Sequence, residues 1–317
     1  MKRMKTSKSP LNRSIAINKK EYKSYLDRAI VLKRVANAED LINKTICQNL
    51  FDALRYFPKN FVDLLVIDPP YNLNKIFNST KFTLKSVDDY TKWIEKLLIE
   101  IKPVLKETAS IYFCSDWYSS ISIGQLLNKH FILRNRISWE REKGRGSSKN
   151  WKNNSEDIWF ATHSKNYTFN SSEVKILRRV IAPYKDLKGE PKDWKKSKNG
   201  NYRLTFPSNI WTDISVPFWS MPENTVHPTQ KSEKLIAKLI LASTNKGDVV
   251  MDPFLGSGTT SVVAKKLDRK FVGVEVDKFY VCLTEKRLEL AENEKKIQGY
   301  EFGHFWERNT IPIPIDK

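Results

Sequence analysis

Residues 65–72, Leu-Val-Ile-Asp-Pro-Pro-Tyr-Asn, carry the groups in this chain best suited to chemistry. An apolar run from Phe61 to Ile67, with one Asp inside it, reads as a buried strand that stops at Asp68-Pro69-Pro70-Tyr71. Each proline fixes φ and removes a backbone donor, so the chain leaves the strand in a stiff, extended turn. A carboxylate, carbonyls without competing N–H groups and an aromatic ring then project from a strand's C-terminal end. Open α/β sheets bind ligands at that end. The set suits a planar base with an exocyclic amino group. Asp68 and a proline carbonyl can accept its two N–H hydrogens while Tyr71 stacks on its face. The plainer alternative is a Pro-Pro loop closing a strand, with Tyr71 packed on the rim.

A second arrangement lies near the C-terminus. The strand Val249-Val250-Met251 ends at Asp252, and Pro253-Phe254-Leu255-Gly256-Ser257-Gly258 turns into a helix over Thr259–Lys266. Gly256 and Gly258 let backbone approach a ligand closely, and the helix start offers free N–H groups. Glu275, near the end of the next strand, stands where an acid pairing with ribose hydroxyls is expected. This is a nucleoside-binding pattern. The phosphate loop and the third glycine usual for dinucleotides are both missing, which argues against ATP and NAD.

The elements that must position these groups alternate along the chain. Thr45-Ile46-Cys47 is a strand candidate, Asn49–Phe57 a helix, and the Asp68 strand follows. Asp88 is placed to cap a helix over Tyr90–Lys106, whose Trp93, Ile94, Leu97, Leu98 and Ile101 recur at helical intervals. Ala109–Cys114 is strand-like, Ser119–Asn128 helical and Phe131–Trp139 strand-like. Such alternation predicts a parallel sheet clothed in helices. From Arg141 to Val226 the rhythm breaks into Lys-, Asn- and Ser-rich sequence with only short strand-like pieces such as Ile158-Trp159-Phe160. Regular elements resume with a helix over Ser232–Ser243, a strand over Phe271–Val276 and a helix over Phe279–Glu294. Glu21–Asn43 has the spacing of one or two helices, and the tail with Pro312 and Pro314 reads as peripheral.

Charge narrows the partners. The 317 residues hold 55 Lys+Arg against 36 Asp+Glu, a formal net charge of +19, which points to a polyanion. Residues 1–20 contain basic side chains and no acid, and are expected to be disordered or to contact phosphate. Arg141, Lys143, Arg145 and Lys149 surround Gly144 and Gly146 in a loop suited to entering a groove. Solvated charges are the alternative there, and core packing is the alternative for most of the tryptophans nearby. Three scattered cysteines and four histidines suggest neither a disulfide framework nor a metal site. No apolar run approaches the ~18 residues of a membrane span, and the basic N-terminus lacks the apolar segment of a signal peptide.

Together these motifs resemble the S-adenosylmethionine-dependent DNA amino-methyltransferases. Asp68-Pro69-Pro70-Tyr71 looks like their catalytic motif, and Asp252 through Thr260 looks like their cofactor loop. His227-Pro228-Thr229-Gln230-Lys231 is similar to a third element just before that loop. Their order is similar to the permuted β group of restriction-modification enzymes. The resemblance implies a Rossmann-like, doubly wound α/β fold. Its sheet is circularly permuted, mostly parallel and seven-stranded, with one antiparallel edge strand and an inserted target-recognition region. The implied layout is a basic arm and helix (1–44), a catalytic half (45–142), the insert (143–225), a cofactor half (226–300) and a tail (301–317).

Carried over residue by residue, the catalytic set is Asp68, Pro69, Pro70 and Tyr71. The cofactor set is Asp252, Phe254, Gly256, Ser257, Gly258, Thr259, Thr260, Glu275, His227, Thr229, Gln230 and Lys231. Asn49 stands where relatives often carry an acid near the cofactor's adenine, and Ser232 where they usually carry proline. The implied activity is cytoplasmic, site-specific methylation of double-stranded DNA on a flipped-out base, without a metal. Adenine N6 is favoured, because cytosine-N4 relatives more often have serine in place of Asp68. A homodimer and a nearby restriction endonuclease are further partners the resemblance allows. The competing classes are an RNA or protein methyltransferase and a non-catalytic DNA-binding module.

Overall fold

The computed structural model describes residues 9–78, 80–141, 148–181, 184–197, 200–308, 310 and 314. Helices α1 (Lys19–Leu26) and α2 (Ala38–Leu41) lead into β1 (Lys44–Cys47), α3 (Leu50–Leu54) and β2 (Val62–Ile67). A hairpin of β3 (Lys75–Phe77) and β4 (Thr80–Phe82) precedes α4 (Val87–Ile101), β5 (Leu105–Ser115) and α5 (Ser120–His130). Then come β6 (Ile132–Glu140), β7 (Ser155–Thr162) and the small strands β8 (Ile176–Arg179), β9 (Lys195–Ser197), β10 (Gly200–Thr205) and β11 (Ile210–Trp211). The chain ends with α6 (Glu233–Ser243), β12 (Val249–Asp252), α7 (Thr259–Lys266), β13 (Lys270–Glu275) and α8 (Lys278–Asn293), followed by β14 (Tyr300–Glu301) and β15 (His304–Trp306).

Local sequence explains these elements. In α4, Tyr90, Ile94, Leu97, Leu98 and Ile101 are all buried, and Ser86 caps the helix by accepting from the Asp89 N–H. Asp88, the expected cap, lies in the first turn instead, where its charge suits the helix dipole. Along β2, Leu65 and Ile67 pack into the core under α4 and α5, while Leu64 and Val66 pack on the opposite face with α6 and α7. Both faces of the strand are buried, so it reads as a continuous apolar run.

The main sheet runs β1-β13-β12-β2-β5-β7-β6-β11. It has eight strands among the described residues, one more than expected, because two-residue β11 adds to the edge. Its antiparallel strand is β7, which pairs with β5 on one side and β6 on the other. The expected edge position is therefore wrong. The expected insert boundary also shifts, since β7 lies within 143–225 yet belongs to the main sheet. Its Ile158 and Phe160 face the core, so the strand-like reading of 158–160 holds, and the strand extends beyond it on both sides.

From β2 the chain crosses through α4 to β5 on one side. From β12, the neighbour of β2, it crosses through α7 to β13 on the other. The order of the sheet therefore reverses between β2 and β12, and ligands of doubly wound folds bind at such a point. Asp68, Asp252 and Glu275 stand at the adjacent C-terminal ends of β2, β12 and β13.

Two peripheral expectations are corrected. Residues 9–18 do not hang free: the Arg13 and Ile15 N–H groups donate to the Trp219 and Asn224 carbonyls at 2.8 Å, and Asn18 with Glu21 closes a capping box on α1. Residues 301–306 of the tail are not peripheral either, while Pro312 lies outside the described residues. β15 pairs with β8 in a five-stranded sheet, and His304, Phe305 and Trp306 are buried. This second sheet covers α6, which explains why the lysines of that helix are buried. Lys234 and Lys238 converge on Asp213, and Lys238 lies 2.8 Å from both of its oxygens. Burial pushes the Lys238 amine down to about 8, although Asp213 opposes it. Cutting away one partner of such a buried pair costs roughly 3–5 kcal/mol.

Candidate active site

A cavity of about 350 Å³ opens over the adjacent ends of β2, β12 and β13. One end is aromatic. The Trp93 ring meets Phe51, Phe82, Tyr90 and Phe254 at centroid distances of 5.7–6.4 Å. The other end is acidic, lined by Asp68, Asp252, Glu275 and Asp277. Lys231 is the only Lys or Arg among the described lining residues, and nearby carboxylates already hold it.

Backbone groups and hydroxyls fix the acids. The Gly256 N–H donates to Glu275 at 2.7 Å and the Asp277 N–H at 2.8 Å. Thr260 donates its hydroxyl to Asp252 at 2.6 Å, and the Phe254 N–H donates to the other oxygen. Burial nevertheless pushes both Glu275 and Asp252 up to about 7. A buried acidic wall beside an aromatic slot repels phosphate. It suits a nucleoside that brings hydroxyl donors and positive charge, and S-adenosylmethionine fits that description.

The turn itself needs glycine. Gly256 has φ +54°, and a Cβ there would lie 2.9 Å from His227 Nε2. The close approach expected at Gly256 is thus met first by His227, whose ring also packs edge-on against Tyr280 at 4.5 Å. At Gly258, with φ +81°, a Cβ would meet the Thr284 side chain at 2.6 Å. Arg287 braces the far side of the loop by donating to the Ser257 carbonyl at 2.8 Å and to Thr259 Oγ1 at 3.0 Å.

Asp68 sits at the cavity's inner edge. Lys231 Nζ donates to both of its oxygens at 2.8 Å, and the Tyr71 hydroxyl donates to Oδ1 at 3.1 Å. Burial raises the Asp68 carboxyl and Lys231 opposes the rise. Burial would also strip Lys231 of its proton, but Asp68 and Glu156 overcome this and hold it firmly as the ammonium. The Pro70 carbonyl accepts from the Tyr90 hydroxyl at 3.1 Å, while no such bond occupies the Pro69 carbonyl among the described residues. Lys231 also lines a second cavity of about 480 Å³. Its walls include Trp139, Arg141, Glu156, Phe218, Trp219 and Asn224.

The remaining site candidates fall into three places. Thr229 and Gln230 line the first cavity, but Gln230 is tied down by Thr225 and the Glu223 carbonyl. Asn49 lines it too, while its side chain caps α3 by accepting from the Phe51 N–H at 3.0 Å. Of the proposed loop cations, Arg141 turns inward to Glu156 at 2.7 Å, and Lys149 is exposed. Lys143 and Arg145 lie outside the described residues.

Sequence reasoning missed Glu156 and Asp277. Glu156 was legible as an acid in phase with buried Ile158 and Phe160. Asp277 was legible as the residue capping α8, where it accepts from the Phe279 and Tyr280 N–H groups.

With this geometry in place, comparison with known proteins identifies the family. A family model described as DNA methylase, covering N6 and N4 methyltransferases, matches residues 62–286. The chain belongs to the N6/N4 DNA methylase family. It is 32% identical over 253 residues to the type II methyltransferase M.HpaI of Haemophilus parainfluenzae, covering 79% of this chain and 75% of that protein. It is 33% identical over 270 residues to the DNA adenine methyltransferase YhdJ of Escherichia coli (strain K12), covering 81% and 88%.

Among solved structures, the M1.HpyAVI–SAM complex aligns with TM-score 0.51 at 25% identity, over 77% of this chain and 98% of that one. The cytosine-N4-specific PvuII DNA methyltransferase aligns with TM-score 0.58 at 16% identity, over 83% and 93%, a likeness of fold. This N6/N4 DNA methylase is thus an S-adenosylmethionine-dependent enzyme whose substrate is DNA. Among the described residues, no helix is long and apolar enough to cross a membrane, and no cluster of ligands could hold a metal ion.

Proposed function

We propose that this protein methylates the exocyclic N6 of adenine in double-stranded DNA at a specific sequence, on a base flipped out of the helix. The observation that carries the reading is the position of Asp68. It is a carboxylate followed by a Pro69 carbonyl that accepts no hydrogen bond among the described residues, at the sheet's switch point and on the edge of the nucleoside cavity. The amino nitrogen of adenine is a poor nucleophile, because its lone pair is delocalised into the ring. Two acceptors, Asp68 and the Pro69 carbonyl, draw on its two hydrogens and favour the pyramidal form in which that pair is free. Fixed before the reaction begins, they stabilise the positive charge that develops on nitrogen.

S-adenosylmethionine supplies an electrophilic methyl group, and the acidic end of the cavity suits its positive charge. The aromatic slot of Trp93, Phe51, Phe82 and Phe254 suits its adenine, and Glu275 its ribose. The second cavity, with Trp139, Phe218 and Trp219 in its walls, offers stacking surface for a flipped base at the far side of Lys231. Burying the base there offsets the few kcal/mol that unstacking costs. Aspartate at position 68 favours adenine over cytosine N4. A cognate restriction endonuclease and a second copy of this chain are the partners this reading adds to DNA, and the cytoplasm is its place of action.

Labelled methyl transfer to duplex DNA, single-stranded RNA and bulk protein tests the reading. Label is expected in duplex DNA alone, and label confined to RNA or protein would overturn it.

Two further results are expected. With a net charge of +19, DNA affinity should fall steeply with salt, each neutralised phosphate adding ~0.9 to the log–log slope. A slope near zero in a titration from low to moderate salt would count against a DNA-binding surface.

The second result concerns pH. Glu275 and Asp252, raised to about 7, take up protons on folding between their ordinary range and pH 7. Their contribution to stability is therefore greatest at low pH and is lost as pH rises toward 7. Binding a cationic, hydroxyl-bearing nucleoside needs them ionised, so cofactor affinity should weaken as pH falls below about 7. Calorimetry at pH 6 and pH 8 giving equal affinities would contradict this.

A further inference from the structure

Strand β7 runs antiparallel to β5, so it brings its N-terminal end to the same edge of the sheet as Asp68. That end carries Glu156, 5% exposed and in phase with buried Ile158 and Phe160. Its carboxylate lies 3.1 Å from the Tyr71 hydroxyl, whose one hydrogen it shares with Asp68, 3.3 Å from Lys231 Nζ and 2.7 Å from Arg141. None of the three sequence motifs contains it, yet it touches two of them. We propose that Glu156 is a positioning residue for methyl transfer, holding Lys231 and Tyr71 around Asp68 and setting the charge that Asp68 presents to the substrate amine. The inference rests on Asp68 being the amine's acceptor.

Asp68, Glu156, Lys231 and Arg141 form two carboxylates and two cations, a balanced group in a water-poor place. Lys231 donates to both Asp68 oxygens and to the Tyr71 hydroxyl while its charge lies 3.3 Å from Glu156, and the Tyr71 oxygen stands 3.1 Å from both carboxylates. Without the Glu156 charge, Asp68 becomes the sole carboxylate partner of Lys231. Its oxygens then accept substrate N–H groups less well. The site also gains a net positive charge where the reaction must place another.

The groups facing Asp68 come from every element around it. They are Tyr71 on its own turn, Lys231 before α6, Glu156 on β7, Cys114 on β5, Asp252 on β12 and Tyr90 on α4. The negative charge of Glu156 raises the Asp68 carboxyl. Removing it lowers that carboxyl, so the acid limb of the turnover–pH profile moves to lower pH.

Glu156→Gln tests this while keeping the side chain's shape and an acceptor for Tyr71. At saturating cofactor and DNA, kcat should fall about tenfold or more, with its acid limb displaced downward, and Glu156→Asp should recover part of the rate. A packing role alone would leave the limb where it is. Lys231→Met supplies the second arm, because Glu156 then faces Asp68 with no cation between them. The double variant Lys231→Met/Glu156→Gln should therefore be more active than Lys231→Met alone.

Wild-type turnover with an unmoved acid limb in Glu156→Gln would overturn the proposal. So would losses that simply multiply in the double variant. Should Glu156→Gln fail to fold, Arg141→Gln on the partly exposed side should shift the limb upward, and an unmoved limb there overturns the proposal equally. If Asp68→Ala keeps its turnover, the acceptor reading itself has failed. If Asp68→Ala is inactive while Glu156→Gln behaves as wild type, this inference alone has failed.

Discussion

Asp68→Ala should abolish methyl transfer, lowering kcat by ~100-fold or more, the scale of losing one well-placed charge-stabilising group. At least as much is expected here, because the substitution removes an acceptor and also strands a cation. Lys231 Nζ would lose both of its 2.8 Å contacts and fall back on Glu156 at 3.3 Å. The fold should survive, since Asp68 lies beyond the end of β2 and the apolar residues of that strand stay in place. Cofactor affinity should change far less than kcat, because the aromatic slot and Glu275 are untouched. Single-turnover kinetics beside cofactor calorimetry separate the two effects. Near-wild-type turnover would end the proposed role of Asp68.

Gly256→Val should do the reverse, collapsing cofactor affinity while DNA binding without cofactor survives. Three effects coincide at this position. A β-branched residue is forced to φ +54°, a conformation that side-chain-bearing residues adopt at a cost of roughly 1–3 kcal/mol. Its Cβ would press on His227 Nε2 at 2.9 Å, and His227 walls the cavity. The turn also carries the N–H that fixes Glu275 at 2.7 Å, so distorting it releases the acid proposed to hold the ribose. Calorimetry showing unchanged affinity would be fatal to this placement of the cofactor pocket.

Much of this was legible in the sequence wherever chemistry and local pattern coincide. Asp68 and Asp252 each close an apolar run buried on both faces, so the run marks the strand and the polar residue marks its end. The helix expected over Thr259–Lys266 is the one observed. What was not legible depends on long-range pairing. Ile158-Trp159-Phe160 reads as strand-like in the sequence, but only the pairing shows that β7 lies between β5 and β6 in the main sheet. The arm residues Arg13 and Ile15 pair with Trp219 and Asn224, some 200 positions away, and composition alone cannot express such a contact.

Lys231 shows the same limit at the site. Its resemblance to the third motif suggested cofactor binding, whereas its ammonium bonds directly to Asp68. A motif identifies a residue as functional, but its partner is decided by which strand ends the topology brings together.

The most direct test of the account is the chemical identity of the methylated base. Unmodified duplex DNA would be treated with the purified protein and isotopically labelled S-adenosylmethionine, digested to nucleosides and analysed by mass. The label is expected in N6-methyldeoxyadenosine and is expected to be absent from the product of Asp68→Ala. Label in N4-methyldeoxycytidine would contradict the assignment to adenine. Label equally abundant with Asp68→Ala would contradict the role given to the carboxylate at the end of β2.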